Sequence, residues 1–575
     1  MTSVNRRDFL SHTVRLALSG TALSCVALTS VTGQAIGAQL TDENLRTFLN
    51  GSDRSIGGIR LRHKKMLAKI YAERRHIPFW IKHGQTTSTS YAIINKLEQS
   101  SLLGLHPSQY YTQLLSSWKT NNQTSYDRIR YELVLTDSLY EYFTHLANGQ
   151  LDEKPGDKGW FLKQSKTDVA TTAMNFFRGD ASFRETIDQL QPLNQRYTNL
   201  LVTLREHHQI LDNGGWSRVD SGPTLKPGHT GLRVSQLRAR LAQSRDTYDA
   251  DPLRSDVYDW SIEQGVTSFQ ERHGLVADGV IGKKTLAELN VPVEQRIKQI
   301  EVNLDRWRWL PNDLGESRIV VNTAGFDMDV HLNHNHVTTM NVVVGKPKHR
   351  TPIFSDVMEY LVFRPSWHVP KSITRDELLP RERANPGYLE NENFVAVSLS
   401  DNMSVPISSL PGEYLETAAF TSRYRLRQKP GDNNALGSIK FMLPNQYSIY
   451  LHDTNAKSLF GKTSRAFSHG CIRLEDPEGL ARTLLQSDGQ DFDRIEEILQ
   501  STATKTVKLR SHIPVHMTYQ TAWVDETGKT QFRKDIYDHD RYALKNYRQQ
   551  HAIQEREETE LLVQNGIVVT VSADI

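Results

Sequence analysis

The chain of 575 residues has only two cysteines, Cys25 and Cys471. Cys25 lies in an N-terminal stretch with the composition of a removable export signal. If that stretch is cleaved, one cysteine remains, and a single thiol cannot form an internal disulfide. An unpaired cysteine in an exported protein indicates a free, reactive thiol. The sequence therefore excludes a disulfide scaffold and makes Cys471 the first candidate for chemistry.

The chain also lacks an excess of charge and a long apolar run. Its formal net charge is only +3, and its basic residues are spread along the chain. This excludes nucleic acid as a predicted partner, because proteins that bind nucleic acid concentrate positive charge. The apolar run at residues 16–31 is short for a membrane span and is interrupted by Ser, Thr and Gly. Length and composition predict two to four soluble globular domains.

Residues 1–38 have the features of an export signal. The hexapeptide NRRDFL at residues 5–10 resembles a twin-arginine motif, and small and apolar residues follow it. Cleavage after Ala35 or Ala38 would release the mature chain beyond a bacterial inner membrane, by a Tat- or Sec-type route. Without cleavage, the protein would stay associated with that membrane.

The next two segments are predicted to be helical. Apolar residues recur at helical spacing across residues 39–213, which indicates a helical scaffold domain without an acid–base constellation. A break rich in Gly and Pro follows. Residues 228–291 then predict three short helices around one small core, because the apolar stripes lie at Val234–Leu241, Ile262–Phe269 and Leu286–Leu289.

Residues 294–547 predict a β-rich domain that begins with one helix. Strands are predicted where apolar and polar residues alternate, at 319–321, 326–332, 337–344, 360–363, 439–443, 447–451 and 515–521. The alternation lapses at about residues 371–430, and so long a segment in a compact domain is usually a functional lid or an inserted cap. The tail, residues 548–575, carries no functional prediction. The predicted fold class is a multidomain α+β protein.

Cys471 lies nineteen residues after His452, which ends a predicted strand. A thiol attacks carbonyls as the thiolate, so it needs a base, and a hairpin-like return would bring the imidazole near the sulfur. Asp453, through its carboxylate or its backbone carbonyl, would hold the second ring nitrogen. The N–H groups of Gly470 and Cys471 would face the developing oxyanion.

Other interpretations remain open on residue types alone. A cysteine near a histidine is often only a small buried residue. A metal site formed by Cys471, His469 and His452 would lack a second thiol and the short paired spacing of structural zinc sites. The histidines at positions 331, 334 and 336 lie at a predicted hairpin tip, where solvated side chains are expected.

Two resemblances narrow these alternatives. GLRVSQLRARL (231–241) and VTSFQERHGLVADGVIGKKTLAELN (266–290) resemble the peptidoglycan-binding domain, which serves either as a wall binder or as a spacer. His452, a spacer and Ser468-His469-Gly470-Cys471 resemble the L,D-transpeptidase (YkuD-type) signature. The segments 342–356, 365–373, 433–453 and 521–528 resemble the large periplasmic branch of that family. The order of scaffold, peptidoglycan-binding unit and β-rich domain with an inserted cap also resembles that branch.

The resemblance implies roles for single residues. Cys471 would be the nucleophile and His452 its base, and the supporting catalytic residues would be Asp453, Ser468, His469 and Gly470. Tyr450 and Trp367 would line the donor-peptide pocket. Many family members have Asn two residues after the cysteine, where this chain has Arg473. A guanidinium there would bind a substrate carboxylate or a structural carbonyl.

The resemblance also implies a reaction and a location. In the periplasm of a Gram-negative bacterium, Cys471 would form a thioester with a tetrapeptide stem and release D-Ala. The diaminopimelate amine of an acceptor stem would then complete a 3→3 cross-link. No cofactor or metal is expected. Carbapenem-type β-lactams would be inhibitors, and wall synthases are possible partners. Two alternatives are an L,D-carboxypeptidase with water as acceptor and a non-catalytic wall-binding scaffold.

Overall fold

The structure, a computed structural model, describes residues 42–118, 124–151, 159–162, 168–247, 256–311, 313–415, 417–564 and 567. The predicted export signal, residues 1–38, lies outside these residues. The described chain forms a helical N-terminal region, a three-helix unit and a β-rich C-terminal region, which confirms the predicted α+β multidomain class. Among the described helices, none has the length and apolar character needed to cross a membrane.

The N-terminal region is helical, as the sequence predicts. Its helices are α1 (Asp42–Asn50), α2 (Lys64–Glu73), α3 (Ser88–Glu98), α4 (Thr112–Ser117), α5 (Ser125–Asn148), α6 (Val169–Arg178), α7 (Phe183–Leu190) and α8 (Gln195–Asp212). Two small hairpins join them, β1–β2 (Ser55–Ile56, Ile59–Arg60) and β3–β4 (Ile81–Lys82, Gln85–Thr86). Helix α5 is the central element, because most of its residues are buried. Its start is fixed by a capping box between Thr124 and Asp127.

The three-helix unit consists of α9 (Leu232–Gln243), α10 (Trp260–Arg272) and α11 (Lys283–Leu289). The predicted apolar stripes meet in one small core that includes Leu237, Val266 and Leu289. Helix α12 (Val293–Trp309) leads from this unit to the C-terminal sheet and packs against α8 through a second shared core.

The C-terminal sheet begins with β5 (Arg318–Asn322), β6 (Asp327–Leu332), β7 (Asn335–Gly345) and β8 (Ser355–Phe363). The predicted cap follows as a folded subdomain and not as an open loop. Its strands β9 (Trp367–His368), β10 (Phe394–Ser398), β11 (Ser404–Val405) and β12 (Tyr424–Gln428) form a sheet in the order β11-β10-β12-β9. Its helices are α13 (Lys371–Ile373), α14 (Leu379–Ala384), α15 (Tyr388–Asn391) and α16 (Thr417–Arg423). The subdomain has its own apolar core, with Leu379, Ala396 and Phe420 fully buried.

The chain then returns to the main sheet through β13 (Ile439–Met442), β14 (Leu451–His452), β15 (Ala466–Ser468), β16 (Ile472–Leu474) and β17 (Lys505–Thr518). The nine strands are ordered β15-β7-β16-β14-β13-β8-β17-β5-β6, and β6 also pairs with β7, so the sheet closes on itself. The predicted strand at 447–451 is wrong in its bounds. The Asn445 amide donates to the carbonyls of Leu443 and Ile449, 2.7 Å each, and this turn delays the strand to Leu451.

The last elements tie the C-terminal region back to the N-terminal one. Helices α17 (Pro477–Ser487) and α18 (Phe492–Gln500) cover the sheet, and β18 (Ala522–Val524) pairs with β19 (Thr530–Phe532). Helix α19 (His539–Gln564) inserts Leu561 and Leu562 into the core of the N-terminal helices. The tail from residue 548, for which the sequence made no functional prediction, is thus largely a structural helix.

Candidate active site

Cys471 occupies a tight connection between β15 and β16, next to the strand that carries His452. Strand β14 pairs in parallel with β16, which places Leu451 opposite Ile472 and His452 opposite Arg473. Gly470 has φ +120°, and a Cβ atom there would lie 3.2 Å from Ile449. Glycine is therefore favoured just before the cysteine, mainly because other residues rarely adopt this backbone conformation.

Ser468 holds this connection together. Its buried hydroxyl donates to the Cys471 carbonyl at 2.6 Å and accepts from the Gly470 N–H at 3.0 Å. The Gly470 N–H is therefore already paired, which differs from the expectation that it faces an oxyanion. Among the described residues, the Cys471 N–H has no hydrogen-bond partner. Of the two predicted donors, the Cys471 N–H is thus the one available to a ligand.

The thiol itself is half-buried and faces Tyr450. Its Sγ lies 3.7 Å from the Ser448 carbonyl oxygen. Burial raises the pKa of Cys471, while the Tyr450 backbone N–H, Lys440, the Tyr450 hydroxyl and Arg473 act in the opposite direction. The free protein consequently holds a protonated thiol among groups that favour its thiolate.

His452 is buried and held in one tautomer. Its Nδ1 makes a short hydrogen bond with the Asp453 backbone carbonyl. A carbonyl only accepts, so Nδ1 carries the proton and Nε2 keeps its lone pair. Burial, with help from Arg473, lowers the pKa of His452 to about 3. The imidazole is therefore neutral at physiological pH, as a proton acceptor must be. Within the described chain, it makes no direct hydrogen bond to Cys471, although both side chains line one cavity.

The Asp453 carboxylate points away from the imidazole. Its Oδ2 accepts from the Ser438 N–H at 2.8 Å and from the Ser438 hydroxyl at 3.0 Å, and its Oδ1 lies 2.7 Å from Lys457 Nζ. A Cβ at Gly437 would lie 2.2 Å from Oδ2. Of the two predicted options for Asp453, the structure shows that its backbone carbonyl accepts the hydrogen bond from the His452 ring. Its carboxylate instead holds Ser438 and Lys457.

Tyr450 and Trp367 connect the thiol to the cap. The Tyr450 hydroxyl faces Cys471 on one side and the Trp367 side chain on the other. Burial is the main reason that the pKa of Tyr450 is raised, so the hydroxyl stays protonated and can donate. Trp367 belongs to β9, where it packs against Phe394 of the cap core, with ring centroids 6.1 Å apart. The sequence-predicted pocket residues are thus brought together at the junction of the main sheet and the cap.

His469 also contacts the cap, through a residue that the sequence did not single out. Its Nε2 lies 2.7 Å from Glu377 Oε1, and the same carboxylate is 3.6 Å from Lys346 Nζ. Burial acts to raise the pKa of Glu377, but the bond with His469 and the charge of Lys346 bring it below its usual value. Glu377 therefore connects the cap to the loop that carries Cys471. No sequence signal marks it, because it lies inside the insertion.

The predicted residues surround one cavity of about 710 Å³ between the main sheet and the cap. Cys471, His452, Tyr450, Trp367 and Arg473 all line it. Lys440, which the sequence did not single out either, lies on its floor. A larger cavity of about 1240 Å³ lies between the three-helix unit and the sheet, but it contains neither the thiol nor His452. The predicted site residues therefore lie at the smaller cavity.

The metal alternative finds no support in the geometry. The described residues contain no group of three His, Cys, Asp or Glu side chains arranged to hold a metal ion. Of the histidines at the β6–β7 hairpin, His334 lies 3.2 Å from Glu316, and His336 lies 2.9 Å from the Thr339 hydroxyl.

Three family models match consecutive parts of the chain. Residues 316–546 match the model described as the YkuD L,D-transpeptidase catalytic domain, residues 65–204 match the scaffold domain, and residues 230–289 match the "Putative peptidoglycan binding domain". A Haemophilus influenzae protein named "Putative L,D-transpeptidase" is 25% identical over 513 residues, which cover 88% of this chain and 84% of that protein.

Solved structures give weaker similarities. An L,D-transpeptidase from Mycobacterium smegmatis is 14% identical, with a TM-score of 0.16 over 35% of this chain and 58% of its own. The L,D-transpeptidase LdtMt1 in complex with imipenem is 15% identical, with a TM-score of 0.16 over 35% of this chain and 59% of its own. The match thus covers less than two thirds of the length of either structure.

Proposed function

We propose that this protein is a peptidoglycan L,D-transpeptidase, because consecutive parts of the chain match the scaffold domain, the peptidoglycan-binding domain and the YkuD L,D-transpeptidase catalytic domain. In this proposal, Cys471 carries the acyl group as a thioester and the products are 3→3 cross-links. The observation that carries the proposal is the arrangement around the thiol. A neutral imidazole, a hydroxyl that donates and a backbone N–H surround one cavity under a cap, and among the described residues neither Nε2 of the imidazole nor that N–H has a hydrogen-bond partner.

The first half-reaction forms the acyl-enzyme. Sγ attacks the carbonyl that precedes the terminal D-Ala of the donor stem, and the thiol proton moves to Nε2 of His452. When the intermediate collapses, the carbon–nitrogen bond breaks and the imidazolium returns its proton to the leaving amine. D-Ala departs, the thioester remains and His452 is neutral again.

The second half-reaction transfers the acyl group. The diaminopimelate amine of an acceptor stem attacks the thioester carbonyl, and His452 accepts the proton that the amine loses. The carbon–sulfur bond then breaks, the proton returns to sulfur and the cross-linked dimer is released. The imidazole thus needs only one tautomer throughout, the one that the Asp453 carbonyl maintains.

Charge that develops in both steps has partners in the cavity. The unpaired Cys471 N–H and the Tyr450 hydroxyl would stabilise the oxyanion, and one such donor contributes roughly 3 kcal/mol. Lys440 and Arg473 favour the thiolate. The cap would exclude water, which favours an amine over hydrolysis of the thioester.

A digest of purified tetrapeptide muropeptides tests the proposal. The wild-type protein should convert them into 3→3 dimers with release of D-Ala, and Cys471→Ala should form none while keeping its fold. Tripeptide monomers without dimers would indicate an L,D-carboxypeptidase. Unchanged muropeptides with correctly folded wild-type protein would favour a wall-binding scaffold without activity.

The proposal extends to location and ligands. The export-signal sequence supports action in the periplasm of a Gram-negative bacterium, on wall peptides as donor and acceptor. A nucleophilic thiol would also be acylated by carbapenem-type β-lactams. Mass spectrometry of the protein after incubation with a carbapenem checks this, since the adduct should form on the wild-type protein and not on Cys471→Ala.

A further inference from the structure

The floor of the active-site cavity carries three basic side chains in one row. Lys440 on β13 is directly opposite His452 on β14, and His452 is directly opposite Arg473 on β16. Side chains directly opposite each other on neighbouring strands project from the same face of a sheet. All three accordingly line the cavity.

Among the described residues, no carboxylate forms an ion pair with Lys440. Three other lysines of the same domain do have carboxylate partners: Lys346 with Glu377, Lys457 with Asp453 and Lys505 with Glu497. In the described part of the chain, neither Lys440 nor Arg473 forms an ion pair with a carboxylate. Lys440 Nζ instead lies 3.8 Å from the centroid of the Tyr450 ring. Because the Tyr450 hydroxyl faces Cys471, the ammonium is one aromatic ring away from the thiol.

Two half-buried cations in one cavity are unfavourable when no carboxylate of the described residues balances their charge. Removing a charge from water costs free energy that a cation–π contact only partly offsets. Burial accordingly lowers the pKa of Lys440 and that of Arg473. A ligand that brings a carboxylate would relieve this cost, since lysine and arginine both form charge-assisted hydrogen bonds with carboxylates.

We propose that Lys440, with Arg473, forms a subsite for the free terminal carboxylate of the donor peptide. The inference rests on the proposed function, in which the attacked carbonyl precedes the last residue of the stem. The terminal carboxylate then lies within one residue of the sulfur, a reach of roughly 3.6 Å along an extended chain. The subsite selects donors that end one residue after the attacked bond, because a longer or amidated stem brings no carboxylate to this point.

Lys440 could instead serve only the thiolate, and substrate chemistry separates the two roles. A cation that only favours the thiolate affects every donor equally and moves the pH dependence of acylation. A cation that binds the terminal carboxylate affects only donors that carry it. The test therefore compares a tetrapeptide donor with the same donor whose terminus is a carboxamide.

The experiment measures kcat/KM of the full-length protein for both donors. Wild-type protein should prefer the free acid by about 10- to 100-fold, the range that one hydrogen bond to a charged group supports. Lys440→Met should lose most of this preference by reacting more slowly with the acid alone, and Lys440→Arg should restore part of it. Lys505→Met, on β17 outside the cavity, is the matched control and should keep the wild-type preference.

If the ratio of kcat/KM for the acid donor to kcat/KM for the amide donor is unchanged in Lys440→Met, the inference is overturned. This includes the case in which both kcat/KM values fall by the same factor. Should that variant be inactive, the dissociation constants of the two peptides are compared for Cys471→Ala and for Cys471→Ala combined with Lys440→Met. The same loss of preference is expected there, and an equal preference in the two proteins would contradict it. Failure of the proposed function is distinct, because the wild-type protein would then form no product from either donor.

Discussion

Burial in one environment shifts the pKa of the His452 imidazole and the pKa of the Cys471 thiol in opposite directions. Burial lowers the pKa of His452 to about 3 and raises the pKa of Cys471. Both groups are therefore neutral in the free protein. In the proposed mechanism, the proton therefore moves from the thiol to the imidazole during the attack itself, which is general-base catalysis and not a preformed ion pair.

The low pKa of His452 predicts an unusual pH profile for the rate of acylation. A base must be unprotonated, so a lower pKa extends its active form to lower pH. The rate of acylation by a carbapenem should then stay nearly constant between pH 5 and 8, without the fall near pH 6.5 of an ordinary histidine. Arg473→Met removes a charge that lowers the pKa of His452, so the acidic fall should move to higher pH.

Rates measured from pH 4 to 9 check both statements. Arg482→Met is the control, because Arg482 pairs with Glu496 away from the cavity, and its profile should match that of the wild-type protein. An acidic fall near pH 6.5 in the wild-type protein would contradict the assigned role of His452.

Individual site residues differ in how far the sequence reveals them. Cys471 and His452 stand out because thiols are scarce and the spacing resembles a known signature. Lys440 does not, because its significance depends on strand register, which brings residues 440, 452 and 473 into one row. The pairing of the Gly470 N–H with Ser468 was equally hidden, since a local turn geometry cannot be read from residue types alone.

The cap is the element whose position most directly affects the chemistry. It reaches the site through Trp367, which faces Tyr450, and through Glu377, which bonds to His469 and lies near Lys346. The sequence predicts an insertion here because the strand alternation lapses. It could not predict a separate sheet and core, since the short strands of the cap pair over long sequence distances, as Trp367 does with Gln428.

Glu377→Gln should loosen the cap and admit water. It removes the charge that holds His469 and Lys346, and a half-exposed ion pair contributes up to about 1 kcal/mol. The ratio of hydrolysed tripeptide to cross-linked dimer should rise about two- to fivefold, as measured by chromatography of a muropeptide digest. Asp376→Asn is the neighbouring control, because Asp376 forms its ion pair with the adjacent Arg375, and an equal rise there would contradict a specific role of Glu377.

At the scale of the whole molecule, helix α19 provides a second connection between the C-terminal sheet and the N-terminal helices, in addition to the packing of α12 on α8. It starts beside the main sheet and ends in the core of the N-terminal helices, where the Leu114 N–H donates to Glu558 Oε1 at 3.0 Å. The sequence showed this segment only as acidic and then apolar. Its role was not predictable, because the partner residues lie more than 400 positions earlier in the chain.

Glu558 makes this contact sensitive to pH. Burial raises the pKa of Glu558 to about 7, above its value in an unfolded chain. Its contribution to stability is therefore fully present below about pH 4.3 and is lost as pH rises through about 7. Glu558→Gln keeps the carbonyl acceptor and removes the charge, so it should reduce the loss of stability between pH 5 and 8 by up to about 3 kcal/mol.

Thermal unfolding at pH 5 and at pH 8 measures this effect. Glu557→Gln, at the exposed neighbouring position, should leave the difference between the two melting temperatures as it is in the wild-type protein. An equal difference in wild type and Glu558→Gln would show that the carboxyl titrates normally in the folded protein.

The most direct test of the transpeptidase assignment is intact-protein mass spectrometry with a tetrapeptide donor and no acceptor amine. We expect a covalent adduct on the wild-type protein with the mass of the donor minus D-Ala, located at Cys471. Addition of an acceptor stem should remove the adduct and yield a 3→3 dimer. Cross-linked product without an adduct at Cys471, or an adduct that persists in Cys471→Ala, would contradict it.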